Sequence, residues 1–348
     1  MSKFIQIHTL TSYAPANLNR EETGRPKTAK FGGFERLRVS SQSSKRNWRV
    51  SDVFQTSLAD HIGTRTKKLG VEVFNYLTEK EVKEKDAKAW AIEIAGVFGK
   101  GKKDSLEIEQ LAHISPSEKT AVFALAGQLA AENRGPQKDE LQLLKAENQA
   151  ADIALFGRML ASSPEFNVEA ACQVAHAISV ENVTVESDYF TAVDDLNAGK
   201  GDQGAAHIGD SGFASAVLYN YICIDKEQLV DNLSGDLELA NKTIASLLEC
   251  IAKISPKGKQ NSFASHAYAS YILVEKGEQQ PRSLASAFVS PVKALDESEN
   301  VTQIAVQRLE SQIKNFDSVY ESCADSRQSI NVLTGEGNFK SLQAFAAD

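Results

Sequence analysis

The alternation of apolar and polar positions in Phe4-Ile5-Gln6-Ile7-His8-Thr9-Leu10 predicts a β-strand at the start of the chain. Residues 11–30 then lose all periodicity. They hold Pro15, Gly24 and Pro26 together with Arg20, Arg25, Lys27 and Lys30, which reads as a polar loop. Loops of that length inside a compact domain are functional or disordered. A short second alternation, Arg36-Leu37-Arg38-Val39, follows the glycine pair Gly32-Gly33. Ser40 and Ser41 come next, ahead of a helical pattern, and serine is a favoured N-cap. On a helical wheel Gln42, Lys45, Arg46 and Arg49 share a sector of roughly 100°, while Ser44 and Trp48 point elsewhere.

From about 54 to 180 the pattern is almost entirely helical. Helices are expected over 79–98, 118–132, 140–160 and 168–180, punctuated by Gly99-Lys100-Gly101 and Arg134-Gly135-Pro136. Val183-Thr184-Val185 and residues 213–224 are β-prone. Between them lie glycines at 199, 201, 204, 209 and 212, so two strand arms with a glycine-rich tip are expected. Residues 236–253 read as an amphipathic helix, 262–274 as strand, 283–293 as strand or helix, and 299–323 as a long helix; the last 25 are polar and carry no clear pattern. The division that follows is 1–53, a helical insertion over 54–180, strand arms over 181–225, and a mixed remainder over 226–348. The class is α+β.

With 348 residues the chain can bury one large or two medium cores, and 42% hydrophobic with 24% charged residues is a soluble globular composition. No apolar run approaches membrane-span length, and MSKFIQIHTL lacks an apolar signal core, so it is read as mature structure. Cys172, Cys223, Cys250 and Cys323 lie far apart with no CxxC, which argues against zinc or a disulfide framework and fits a reducing cytoplasm.

Charge changes the picture. The net charge is −8, yet the first 50 residues hold ten Lys or Arg and three Glu, a surplus of +7. The other 298 residues hold 28 basic and 43 acidic side chains, or −15. Such asymmetry implies a basic ligand-facing patch on an acidic body, and the acidic body could face the patch of a neighbouring copy. A helix start offers free N–H groups to anions, and three cations lie on one face just beyond. The ligand class that fits is nucleic acid or another polyanion; an ordinary solvated helix face is the competing explanation.

Other motifs fail on context. Gly199-x-Gly201-x-x-Gly204 spells the dinucleotide fingerprint, but no buried strand precedes it. Gly209-Asp210-Ser211-Gly212 with His207 nearby resembles a serine-protease loop, yet a triad histidine four residues from its serine is not that architecture. The six histidines form no ligand pair, and His176, in an apolar helix, is expected to be a packed core residue. Asp188, Asp194 and Asp195 are the only carboxylates grouped near a candidate ligand surface. No metal or cofactor is expected.

Several stretches resemble the type I-E CRISPR Cascade backbone subunit, the CasC family. They are FIQIHTLTSYAPANLNR, FGGFERLRVSSQSSKRNWR, DIALFGRMLAS, AHAISV, DYFTAVDDL and AHIG, in order to about residue 225. Beyond that only Pro256-Lys257-Gly258-Lys259-Gln260 and SLASAF stand out. The resemblance implies an RRM-like (ferredoxin-like) palm, a helical fingers insertion and a long β-hairpin-like thumb. It also implies a helical filament of copies stacked head to tail along one CRISPR RNA. Arg20, Lys27, Ser40, Gln42, Lys45, Arg46 and Arg49 would contact the guide backbone, with Lys259 and Lys293 as further RNA contacts. Met159 would wedge beside bases, a role suited to a flexible thioether. Phe190, Val193, His207 and Ile208 would pack near a displaced nucleotide. The implied partners are target DNA paired to the guide, the large, small, 5'-handle-binding and guide-processing subunits, and a recruited helicase-nuclease, all in cytoplasmic antiviral defence.

The main expectation is therefore a non-catalytic RNA-binding protein in which base pairing does the sequence reading. The alternative is a metal-dependent ribonuclease backbone subunit, as in type III effectors, using a loop aspartate; the basic segment 11–49 has only Glu21, Glu22 and Glu35. A general single-strand binder would need stacking platforms, and that segment offers only Phe31, Phe34 and Trp48.

Overall fold

The computed structural model describes residues 2–145, 149–192, 207–296 and 298–348. Residues 193–206 lie outside it, and with them the glycine-rich tip, Val193, Asp194, Asp195 and the fingerprint-like glycines; so do the side chains of His207 and Ile208. The chain begins with β1 (Phe4–Ala16), β2 (Thr28–Phe31), β3 (Phe34–Val39), α1 (Ser41–Arg49) and α2 (Asp52–Ser57). Then come β4 (Thr64–Thr66), α3 (Leu69–Glu79), α4 (Glu84–Gly96), β5 (Ala112–Ile114), α5 (Pro116–Glu132) and α6 (Ala151–Phe156). Strands β6 (Cys172–Val174), β7 (Ala177–Ser179), β8 (Glu186–Ala192) and β9 (His207–Asp225) follow. The rest is α7 (Lys226–Asn232), α8 (Leu237–Lys253), α9 (Gln260–Phe263), β10 (Tyr271–Gly277), α10 (Val301–Tyr320), β11 (Ser326–Asn331) and α11 (Phe339–Ala347).

Two compact units result. A sheet unit gathers residues 1–54, 174–223 and 247–348; a helical unit gathers 55–173 and 224–246. The sheet runs β11-β10-β1-β9-β7-β3-β2, with β6 and β8 also pairing with β9. Inside it, between β10 and β9, lies β1, whose period of two decides both faces. Thr9, Thr11 and Tyr13 share one small cavity with Ser44 and Trp48 of α1. Leu10 joins Val217, Tyr271 and the α10 residues Ala305 and Leu309 in an apolar cluster instead. His8, fully buried, lies among Tyr219 (Nδ1 to Oη, 2.9 Å) and Glu275 (Nε2 to Oε2, 3.2 Å). Arg282 grips Glu275 with two hydrogen bonds of 2.7 and 3.0 Å, and Arg327 of β11 adds a third of 2.6 Å. Burial alone would raise the Glu275 carboxyl, but the bonds from His8 and Arg282 prevail and hold it below the usual carboxylate range. Burial lowers His8.

The helical unit packs α3, α4 and α5 around Val73, Leu77, Trp90, Ile94, Val122 and Leu129. Ser115 caps α5 in a capping box with Glu118, and Pro116 occupies the first turn, where its missing N–H costs nothing.

The structure departs from the sequence expectation in several places. Residues 11–30 are not one loop: β1 continues to Ala16, β2 begins at Thr28, and Arg20 pairs with Pro26 across a tight turn. The 54–180 block contains short strands, β4 to β7, each of three residues and so too short for any periodicity to register. The expected helix at 79–98 breaks after Glu79, and Glu81 takes a positive φ of 65°. Of 140–160 only α6 is helical. Residues 168–180 are not a helix but β6 and β7, and His176 is exposed between them rather than packed in a core. Of 262–274 only the end is strand, β10. The patternless last 25 residues supply all of β11, an edge strand, and α11.

Candidate nucleic-acid interface

The stretch 31–49 folds into two parts with opposite uses of charge. Gly32 and Gly33 form the two-residue turn between β2 and β3, both with positive φ (61° and 86°), as a type I′ hairpin requires. Gly32 also admits no side chain, since a Cβ there would lie 1.9 Å from the Val289 carbonyl oxygen. In β3, Leu37 and Val39 enter an apolar cluster with Leu18, Ala177 and Leu218. Alternation sends Arg36 and Arg38 to the other face. Arg36 is fully buried: Nη1 donates to the carbonyls of Ser179 and Val180 (3.0 and 2.7 Å), Nη2 to those of Phe288 and Val289 (2.8 and 3.2 Å). It is a structural cation and adds nothing to a surface patch. Arg38 Nη1 donates to His176 Nδ1 at 2.8 Å, and the charges of Arg38 and Lys27 add to burial in lowering the imidazole.

In α1 the expected N-cap is present. The Ser40 hydroxyl accepts from Ser43 N–H (3.4 Å), while Ser40 N–H donates to Asn19 Oδ1 (3.0 Å), which fixes the helix start against the turn after β1. Ser44, Asn47 and Trp48 are buried. Gln42 and Arg46 are exposed, and Lys45 and Arg49 half-buried, so the polar face keeps the four positions read from the wheel together. Arg46 and Arg49 also sit in the last turn, where a cation suits the negative end of the helix dipole.

An open cleft of about 500 Å³ flanks this face, lined by Arg20 and Lys257, by the carboxylates Glu21 and Glu22, and by Ser43, Asn47 and Gly258 among others. Asn17 builds its wall: Nδ2 donates to the carbonyls of Gly24 (2.8 Å) and Gly212 (2.9 Å). Lys27 is placed through its backbone, N–H to Asn19 carbonyl at 2.7 Å. The close approach of Gly258, whose Cβ would lie 2.3 Å from the Leu18 carbonyl, brings Lys257 to the same rim. Sequence reasoning singled out Lys259 but not Lys257. Lys259 takes a left-handed conformation and donates to Ser211 Oγ of β9 at 2.6 Å. Lys293 is exposed, one residue past Val292, whose N–H donates to the Val180 carbonyl at 2.9 Å.

Strands β8 and β9 pair antiparallel, with Phe190 opposite Gly209. A Cβ on Gly209 would lie 2.3 Å from the Phe190 ring, so the glycine makes room for an aromatic that remains 43% exposed. Ser211, in the protease-like tetrapeptide, is buried and bonded to Lys259. Asp188 is exposed. No three His, Cys, Asp or Glu side chains gather as a metal site among the described residues.

Met159 belongs to the helical unit and is 81% exposed. Its neighbour Arg158 explains why. Arg158 Nη1 reaches both carboxylate oxygens of Glu118 at 2.8 Å, with both side chains buried. Its backbone pairs with Val168, and Gly157 turns the chain with a φ of 80°. One fully anchored residue thus holds an apolar one in solvent.

The fold agrees with the comparisons to known proteins. The chain belongs to the CT1975-like protein family, whose sequence model matches residues 5–347. A chain of a CRISPR RNA-guided surveillance complex, pre-nicking, superposes with a TM-score of 0.84 at 28% identity, covering 99% of each chain. A chain of another CRISPR RNA-guided surveillance complex gives a TM-score of 0.74 at 23% identity, again over 99% of each, a likeness of fold. No curated protein matches the chain in sequence. No helix among the described residues is long and apolar enough to cross a membrane.

Proposed function

We propose that this chain is a guide-RNA-binding backbone subunit of a CRISPR surveillance complex of the Cascade kind, and specifically of type I-E. The observation that carries the proposal is the polar face of α1, Gln42, Lys45, Arg46 and Arg49, beside the cleft lined by Arg20 and Lys257. Cations on one face of a fixed helix neutralise phosphates without reading bases. In this reading the sheet unit is an RRM-like palm, the helical unit the fingers, and the β8–β9 pair the thumb. Copies stack head to tail along a CRISPR RNA and present it to target DNA, with the large, small, 5'-handle-binding and guide-processing subunits completing the cytoplasmic complex. Met159 and Phe190 lie against bases. The subunit is non-catalytic, because the track is built from cations that hold phosphate and do not bind a divalent metal; cleavage falls to a recruited helicase-nuclease.

Lys45→Ala with Arg49→Ala tests the track. Two lost phosphate contacts on single-stranded RNA flatten the salt slope of guide binding by about 1.4. An unchanged slope in the folded double variant removes these residues from the interface. The non-catalytic assignment is tested by incubating assembled subunit and target strands with magnesium or manganese. Periodic cuts abolished by Asp→Ala at 188, 194 or 195 would establish the ribonuclease instead.

A further inference from the structure

The cleft beside α1 is not a plain phosphate pocket. Arg20 and Lys257 line it together with the carboxylates of Glu21 and Glu22, so the four charges cancel. The turn that carries the carboxylates is closed at several points. Arg20 bridges Pro26, Glu21 N–H donates to the Arg25 carbonyl (2.9 Å), and Gly24 N–H donates back to the Glu21 carbonyl (3.0 Å). The Gly24 carbonyl accepts from fully buried Asn17 at 2.8 Å. Glu21 and Glu22 are exposed, and neither carboxylate accepts a hydrogen bond from the described residues.

The α1 side of the cleft is neutral. Ser43 and Asn47, one helical turn apart, line it there. On the wheel they follow Arg46, so they border the basic face directly. Asn47 is only 9% exposed, and its amide reaches Ser43 Oγ at 3.5 Å, a long contact for a hydrogen bond. The other end of that amide has no partner among the described residues. A nearly buried amide so short of partners costs stability unless a ligand or water completes it.

This mixture selects the chemistry of the ligand. Two carboxylates repel a phosphate, and two cations repel a metal ion. A base needs an aromatic surface to stack on, and none lines the cleft among the described residues. A sugar hydroxyl meets none of these objections: it donates to a carboxylate and accepts from an amide or an ammonium group. A carboxylate is also the group that receives the ribose 2′-OH in dinucleotide-binding sites. The volume of about 500 Å³ lies within the roughly 300–1,000 Å³ of small-ligand sites. Sugar and phosphate alternate along a nucleic-acid backbone, so a sugar site belongs directly beside a phosphate track.

We propose that the cleft holds the ribose of a bound strand, and that Glu21, Glu22 and Asn47 read its 2′-hydroxyl and so select RNA over DNA. The proposal rests on the guide-binding reading above and adds the group that sets the class of strand. Phosphate contacts cannot set it, because RNA and DNA share them.

The test titrates the full chain, at one salt concentration, with three labelled single strands of one sequence. They are RNA, DNA and 2′-fluoro RNA, which keeps an RNA-like sugar pucker without a proton to donate. RNA binds roughly tenfold or more tighter than either of the others, the worth of one hydrogen bond to a charged group. Glu21→Ala with Glu22→Ala removes most of that ratio. Loss of negative charge raises the affinity for all three strands, so only the ratio reports the sugar. Asn47→Ala lowers the ratio by a smaller factor; if it does not fold, the exposed Glu21 and Glu22 pair decides alone. Equal wild-type affinity for the three strands overturns the ribose site. So does a ratio that survives in Glu21→Ala with Glu22→Ala. Neither result touches the phosphate track, which is judged by the salt slope of Lys45→Ala with Arg49→Ala. A wild-type chain that binds none of the strands overturns both.

Discussion

Strand β3 and helix α1 are consecutive, both carry cations, and Arg36 of the first and Arg46 of the second put their charge to opposite uses. Arg36 is fully buried and gives its guanidinium to four carbonyls from two other segments. Arg46, ten residues on, is exposed on the face that also carries Lys45 and Arg49. The difference follows from the element. A strand in the middle of a sheet turns every second residue inward on each face, so a basic residue there must find buried acceptors. A helix with one apolar edge keeps its cations on the other side. Net charge over a segment therefore overstates the surface available to a polyanion. The helical unit repeats the lesson, with Arg158 buried on Glu118 and Lys67, Lys68, Lys102 and Lys103 exposed.

The comparison is easiest to break from its buried side. Arg36→Ala is expected to cost about 4 kcal/mol, because carbonyls bonded to a cation lose their donor out of reach of water. Chemical denaturation checks this, and a shift below about 1 kcal/mol would show that the site rehydrates without penalty. Arg158→Ala leaves Glu118 buried without its counter-charge and is expected to cost about 3 kcal/mol; hydrogen exchange should place the loss in the helical unit. Next in size is pH. His8 has a folded pKa below its ordinary 6.5, so the unfolded chain takes up its proton first. Its contribution is present above pH 6.5 and is lost as pH falls below that. Glu275, also depressed, adds further loss below its ordinary 4.5. Thermal melts of His8→Gln should show a shallower decline between pH 7 and 5 than the native chain; an identical decline would remove His8 from the linkage. Smallest in stability are the side chains that keep contact with solvent. Lys45→Ala with Arg49→Ala should shift the unfolding midpoint little while RNA binding weakens. Met159→Asp should likewise fold normally and impair guide–target pairing more than guide binding; equal loss of both would take Met159 away from the bases.

Much of this contrast was legible beforehand, and the failures have identifiable causes. The wheel of 42–49 and the Ser40 cap were readable because one short helix carries its own pattern, with buried Ser44, Asn47 and Trp48 outside the sector of Lys45 and Arg46. The turn at 17–27 was not, because it is closed by Asn17 bonding to Gly212, 195 residues away. His176 was misplaced because Ala- and Val-rich three-residue strands look like helix until β9 is known to lie beside them. The +7 of the first 50 residues counts Arg36 although its charge is buried, because its acceptors lie 143 to 253 residues further along. The wedge role of Met159 came from the family resemblance, while the anchor that exposes it, Glu118, sits 40 residues earlier and shows no sequence signal.

The pairing of β1 with β10 carries a consequence for how the protein is made. His8 and Glu275 are 267 residues apart, so the central strand leaves the ribosome long before its partner exists. Helices α3 to α5 contact one another locally and can fold while synthesis continues, since local contacts close early and long-range pairings late. Through that interval β1 is an apolar strand with both edges open, and the charged and polar residues at 17–27 directly behind it lower its tendency to aggregate. Helix α1 then becomes rigid late, because Cys250 and the strands beneath it arrive after it does. Pulse proteolysis of ribosome-bound chains should find 69–132 protected well before 4–49.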